Sequence, residues 1–518
     1  MEFDTLIRGG TVVDGDGVTP ANRADVGLLG DRIAAVGAFD GATAACTIDA
    51  TGQIIAPGFI DVHVHSDTAL LGGPHRYGAL AQGVTTQLLG ADGFGWSGLT
   101  PDRARELWEY TLFAYGQSEQ PLDWATPEAY LARYTGQTPA NVVPQVPHCA
   151  VRLAAMGWDA RPATGDELAR MVALTRAWFE AGAVALNLGL DYQPSANADF
   201  HELLILCGVA REYGALYAAH IRYTDLGREG AWRETIALGQ RAGLPVHISH
   251  ETADALSIPL LAEAAEVCDL TFESYLYPAG CTHLALMLPI AEQGGGLAGL
   301  RARLRDPAAR ARMAAHLDAR LTAATANGER VVFVANQTGR YIGQSLDDAA
   351  AARGESRGDF AVRILTEEDP FALMVYHRGG TPAEQEAIGR DTIRHPRMLV
   401  ASDGVYHGPS GHPRGYGCFA RILRLAVREW GAVSLEAAIH KMSGFPATRF
   451  GLRDRGFVRP GYGADLVLFD PATVADEATW ADPFRAPTGI ARVLVNGETV
   501  VAAGEPTGAL PGRVLRGR

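Results

Sequence analysis

Two histidines spaced i and i+2, in Asp61-Val-His63-Val-His65, close an apolar run that has no helical period. On a β-strand, residues two apart point to the same face, so both imidazoles can converge on one metal ion at the strand's end. A helix would need i, i+3 or i+4 for the same result. His-x-His alone is a modest signal, because chance pairs are frequent. Further candidates end other strand-like runs: Asp92 after Val84-Thr-Thr-Gln-Leu-Leu-Gly, His220 after Ala215-Leu-Tyr-Ala-Ala, His250 after Leu244-Pro-Val-His-Ile-Ser, and Asp403 after Met398-Leu-Val-Ala-Ser. Together they make a nitrogen and oxygen donor set suited to zinc or a similar divalent ion. Each residue also has an ordinary reading. His220 taken alone is a hydrogen-bonded core histidine, while Asp92 and Asp403 precede glycine, as turn residues do. Their joint placement at strand ends favours the metal. His247 falls three residues before His250, on the opposite face of the strand, and is read as structural.

Distant strand ends meet at one rim when parallel strands alternate with helices around a barrel. Apolar runs at 54–63, 84–89, 141–146, 183–188, 215–220, 245–250, 270–276 and 398–402 supply eight strands, with helical segments such as 166–180 and 229–241 between them. The expected fold is therefore α/β, a (β/α)8 barrel over residues 56–450. A doubly wound open sheet is the alternative, but no Gly-x-Gly-x-x-Gly follows an early strand. Two further strand-like runs do not fit the eightfold count. Val331-Val-Phe-Val-Ala is assigned to an insertion at about 280–345, and Ala372-Leu-Met-Val-Tyr376 to the connection before the last barrel strand. Short strands and turns at both chain ends, 1–55 and 451–518, include the hairpin signal Asn496-Gly497. Neither end can bury a core alone, so the two are expected to form one small β-sandwich.

Composition narrows the function. The 518-residue chain is 47% hydrophobic and carries a formal charge of −14, which argues against a nucleic-acid partner. No apolar stretch of about 18 residues is present, and the start lacks the layout of a signal peptide, so a cytoplasmic protein without a membrane partner is expected. Six scattered cysteines without Cys-x-x-Cys suit buried thiols in a reducing compartment. Lys441 is the only lysine; every other basic residue is arginine. Mechanisms that need a lysine in the middle of the chain are thereby excluded.

The candidates lie in longer motifs: Ala56-Pro-Gly-Phe-Ile-Asp-Val-His-Val-His-Ser-Asp67, Gly83-Val-Thr-Thr86, Gly189-Leu-Asp-Tyr-Gln-Pro194, Ala219-His-Ile-Arg222, Ile248-Ser-His250, Ser402-Asp-Gly404, His412-Pro-Arg-Gly-Tyr-Gly417 and Gly461-Tyr-Gly-Ala-Asp-Leu-Val-Leu-Phe-Asp470. Over nearly its whole length the chain resembles the amidohydrolase superfamily and, within it, the N-acyl-D-amino-acid deacylases, or D-aminoacylases. The resemblance implies that His63, His65, His220 and His250 are metal ligands and that Asp403 is the catalytic carboxylate at the same centre. It implies one or two divalent ions, zinc foremost. Where D-aminoacylases carry a cysteine in a Gly-Asn-Cys-Gly turn, this chain has Asp92 in Gly90-Ala-Asp-Gly93. Aspartate can bind or bridge metals through two oxygens, and as a harder ligand it moves the preference toward manganese or iron.

The implied reaction is metal-assisted hydrolysis of a small-molecule amide, an N-acyl-D-amino acid or similar. Tyr192, Arg222, Tyr275, Tyr277 and Arg378 are implied substrate-carboxylate contacts, and His148 an orienting group. The family's Tyr-Pro-Tyr-Thr-Ala-Ser-Ser stretch reads Tyr275-Leu-Tyr-Pro-Ala-Gly-Cys281, without its serines. Phe94 and Trp96 either wall the pocket or pack under a loop. The alternatives are dipeptide or cyclic-amide hydrolysis, ring deamination, and a non-catalytic binding protein on the same fold. Homo-oligomerisation stays open.

Overall fold

The computed structural model describes residues 1–117, 120–368, 370–408 and 410–517. Runs of buried apolar residues form the central strands, as parallel strands covered on both faces require. Phe59–Asp61 pairs in parallel with Val84–Leu88, and that strand with Asn141–Val143. After Pro144 the chain re-enters at Val146–Pro147, which pairs with Ala185–Gly189. Leu216–His220, Val246–Ile248, Leu270–Ser274 and Met398–Val400 follow in order, all parallel. The ring closes where Val64–His65 pairs with Gly404–Val405. A second tie is made by Asp61, which accepts from the Ser402 N–H at 3.0 Å and the Ser402 hydroxyl at 2.5 Å. The result is the (β/α)8 barrel.

Helices pack outside the strands, and their ends follow local chemistry. Gly165–Glu180 starts at a capping box between Thr164 and Glu167. Tyr223–Ala242 stops at Gly243, whose left-handed backbone terminates it.

Both chain ends join one nine-stranded sheet in which Ile54–Pro57 lies between Glu2–Val12 and Leu466–Phe469. This β-sandwich closes over Ile7, Val26, Ile33, Ile55, Leu466 and Leu494. Asn496 and Gly497, both at positive φ, turn Ile490–Val495 into Glu498–Ala502. The single strand expected at 54–63 is divided. Residues up to Pro57 belong to the sandwich sheet and those from Phe59 to the barrel. Gly58 marks the break, where a side chain would collide with Thr85.

The connection between the last two barrel strands differs more. Ala279–His283, Arg330–Ala335 and Leu373–His377 form one antiparallel sheet. Val331–Ala335 and the run ending at Tyr376 are therefore neighbours in one unit, which extends well past residue 345. Pairing between segments some 40 residues apart is set by tertiary contacts that periodicity does not encode. Helices Gly296–Arg305 and Pro307–Ala326 complete the unit, which roofs the C-terminal mouth of the barrel. Among the described residues no helix is long and apolar enough to cross a membrane.

Buried Asn141 welds barrel to sandwich. Its Nδ2 donates to Asp465 at 2.9 Å, and its Oδ1 accepts from Asn496 Nδ2 at 2.7 Å and from the Arg513 N–H at 3.1 Å. Asn141→Ala removes a hydrogen-bond partner from three segments and is expected to cost about 2 kcal/mol, read by chemical denaturation, with metal content unchanged.

Candidate metal centre

Several barrel strands end in turns that aim a side chain back over the mouth. His63 and His65 flank Val64 on the short strand that closes the ring, and Asp403 is locked beside them by its N–H donating to the His63 carbonyl at 2.8 Å. Asp92, His250 and Asp403 all adopt left-handed backbone, with φ of 56°, 44° and 48°. Non-glycine residues rarely take this conformation, and they concentrate where surrounding structure fixes them for function. For Asp92 and Asp403 the turn and ligand readings thus coincide: the sharp turn is what points the carboxylate inward.

These side chains converge. His63 Nε2 lies 3.5 Å from Asp92 Oδ1 and 3.6 Å from Asp403 Oδ1, and His65 Nε2 lies 3.6 Å from Asp92 Oδ2 and 3.4 Å from Asp403 Oδ1. Such separations are long for hydrogen bonds but close to the roughly 3.3 Å between donors that sit about 2.0–2.1 Å from a tetrahedral ion. His220 Nδ1 and His250 Nε2 approach to 2.9 Å. Asp92 belongs to two overlapping donor groups, one with His63 and His65 and one with His220 and His250. Asp92 is thus the residue common to the two groups. His63 Nε2 and Asp92 Oδ1 are buried and have no hydrogen-bond partner. Burial alone would lower the pKa of His63, yet Asp92, Glu273 and Asp403 push it up to about 10. The cluster is short of positive charge, which a divalent cation supplies. The donor set fits the ion.

A surrounding layer fixes which nitrogen each histidine presents. Glu273 Oε1 accepts from His63 Nδ1 at 3.0 Å and from the His250 N–H at 2.9 Å, while its Oε2 pairs with His247. His247 thus turns away from the centre and holds Glu273 in place. Asp191 binds His220 Nε2 at 3.1 Å and the Thr224 N–H at 2.9 Å. Tyr115 reaches His65 Nδ1 at 3.4 Å. Asp67 accepts from the Gly90 N–H at 3.2 Å, anchoring the turn that carries Asp92. Asp403 turns Oδ2 to buried Arg414 at 2.7 Å, leaving Oδ1 toward the histidines. Burial would raise the pKa of Asp403, but Arg414, His65 and His63 hold it well below the usual carboxylate range.

A cavity of about 520 Å³ opens over this cluster, and Tyr192, Tyr275 and Arg378 line it. Three other implied substrate contacts are reassigned. Arg222 donates to the carbonyls of Ala196 at 2.6 Å and Ala198 at 2.8 Å, so its fork is spent on backbone. His148 is buried between Ser195 at 2.9 Å and Glu202 at 3.0 Å. Tyr277 lies outside the lining, with Arg421 over its ring at 4.4 Å. Phe94 and Trp96 are fully buried beneath the rim and pack against Tyr115.

Sequence reasoning missed Glu273, Asp191 and Arg414. Glu273 had a signal, a carboxylate inside a wholly buried strand, where unpaired charge is excluded. Asp191 and Arg414 sat unassigned within quoted motifs.

The amidohydrolase family model matches residues 46–501. Over 527 residues the chain is 33% identical to the D-aminoacylase of Alcaligenes xylosoxydans xylosoxydans, covering 99% of this chain and 97% of that protein. Its structure is similar to that of a D-aminoacylase with a binuclear metal centre, at a TM-score of 0.83 and 31% identity, covering 99% of this chain and 100% of the other. It is also similar to the N-acyl-D-glutamate deacylase of Bordetella bronchiseptica complexed with zinc and a phosphonate mimic of the tetrahedral intermediate. There the TM-score is 0.81 and the identity 34%, with 100% of both chains covered.

Glu273→Gln keeps the shape but removes the charge that orients His63. Metal affinity is expected to fall about 10–100-fold, measured by competition with a chromogenic chelator.

Proposed function

This chain belongs to the amidohydrolase family, and from that premise and the geometry of its metal centre we propose that it releases the free amino acid from N-acyl-D-amino acids. At the coarser level it is a metal-dependent hydrolase of amide C–N bonds. The observation that carries the finer reading is the position of Asp403. One oxygen faces the histidine cluster and the other is clamped by Arg414, at the wall of a cavity of about 520 Å³, room enough for a small amide.

When bound, a divalent ion, zinc foremost, would supply a Lewis acid for the amide carbonyl and would acidify the attacking water toward a pKa of about 7. His63, His65, Asp92, His220 and His250 are the residues that would hold it. The residues then divide the proton transfers. Asp403 Oδ1 takes a proton from the attacking water as the C–O bond forms. The same oxygen returns that proton to the nitrogen as the C–N bond breaks, yielding a carboxylate and a free amine. Arg414 favours the ionised carboxylate before the first transfer and, through Oδ2, holds it rotated for both.

The cation that suits the substrate's α-carboxylate is Arg378, which lines the cavity. Arg414, buried with its guanidinium 4.6 Å from the Tyr275 ring centre, lies outside the lining and serves Asp403. The complete donor set disfavours the non-catalytic alternative.

Asp403→Asn is expected to retain metal, shown by elemental analysis, while kcat on N-acetyl-D-amino acids falls at least about 10²–10⁴-fold. Full activity in that variant, or equal rates on L-isomers, dipeptides and cyclic imides, contradicts the reading.

A further inference from the structure

Away from the metal ligands, most charged groups on the cavity wall already have partners. Arg228 is neutralised by Glu251 at 2.5 Å and Asp254 at 2.6 Å. Asp191 is taken by His220 and the Thr224 N–H. Two arginines on the lining are different. Neither Arg378 nor Arg320 has a carboxylate within 4 Å among the described residues. Arg320, from helix Pro307–Ala326, gives one N–H to the Met287 carbonyl at 2.9 Å. Glu329, whose charge acts on Arg320, is engaged by the Tyr376 hydroxyl instead.

The two arginines come from different elements of the inserted unit, Arg320 from helix Pro307–Ala326 and Arg378 from just after strand Leu373–His377. The field of Arg378 reaches Tyr275, which lines the cavity as Asp403 does. The field of Arg320 reaches Asp191, the partner of His220. Leu286, Met287, Leu373 and Met374 line the cavity as well, an apolar surface supplied by the same inserted unit as Arg320.

A substrate held at the metal centre by its amide, with its α-carboxylate on Arg378, leaves Arg320 as the other lining arginine with no carboxylate within 4 Å among the described residues, placed to meet an anionic side chain. Building on the deacylase reading, we propose that Arg320 is a specificity-determining residue that binds a carboxylate on the substrate's side chain, making N-acyl derivatives of acidic D-amino acids the preferred class. The apolar surface accommodates the methylene arm, and the guanidinium fork matches the terminal carboxylate.

The test uses the metal-loaded full chain with N-acetyl-D-glutamate, N-acetyl-D-aspartate, N-acetyl-D-leucine and N-acetyl-D-methionine. The wild type is expected to favour an acidic substrate over both apolar ones in kcat/KM. Arg320→Met is expected to lower the acidic-to-apolar ratio about 10–100-fold, mainly through KM, and Arg320→Lys to recover part of it. Arg320 is exposed as a residue, on a helix surface, so the thermal midpoint should hold within a few degrees and exclude misfolding. Preference for leucine or methionine in the wild type, or an unchanged ratio in Arg320→Met, overturns the Arg320 assignment while leaving the deacylase reading intact. Hydrolysis of no N-acetyl-D-amino acid overturns both.

Discussion

A deficit of positive charge at the mouth of the barrel governs this structure. Asp92, Asp403 and Glu273 are almost wholly buried within reach of His63, and among them only Asp403 has an arginine partner. Carboxylates in such surroundings must be protonated, paired or bound to a cation. The oxygens of Asp92 and the free nitrogens of His63 and His65 are too far apart to satisfy one another by hydrogen bonding and close enough to share an ion. The fold tolerates three left-handed residues at the rim because they aim these groups inward.

Layering makes the arrangement rigid. Glu273 ties strands together by binding a side chain from the first, a backbone group after the sixth and His247 within the sixth. Asp61 bridges the first and last strands, so the same contact that closes the ring sets Asp403 beside His63. The contacts that close the barrel are therefore also those that place Asp403 in the site. The inserted sheet and helices then decide what can approach, contributing Cys281, Met287, Arg320 and Arg378 to a cavity whose floor is the metal cluster.

Much of this was legible in sequence, for a physical reason. Strand ends announce themselves through apolar runs followed by turn residues, and a histidine or aspartate there can face only a few directions. His63, His65, Asp92, His220, His250 and Asp403 were found that way. Residues whose role depends on a contact across strands were not. Glu273 was hidden because its partners come from segments about 20 and 210 positions away. Arg222 misled because it follows His220 closely, yet the chain turns after Ile221 and sends the guanidinium to the carbonyls of Ala196 and Ala198. The inserted unit was split in the reading because the pairing of 279–283 with 373–377 leaves no local pattern.

Anomalous diffraction at the zinc absorption edge, from crystals of the metal-loaded protein, tests the central claim most directly. The account predicts a peak among His63 Nε2, His65 Nε2 and Asp92, with any second peak between Asp92, His220 and His250. An active enzyme whose metal peak lies out of coordination range of Asp92 would contradict it.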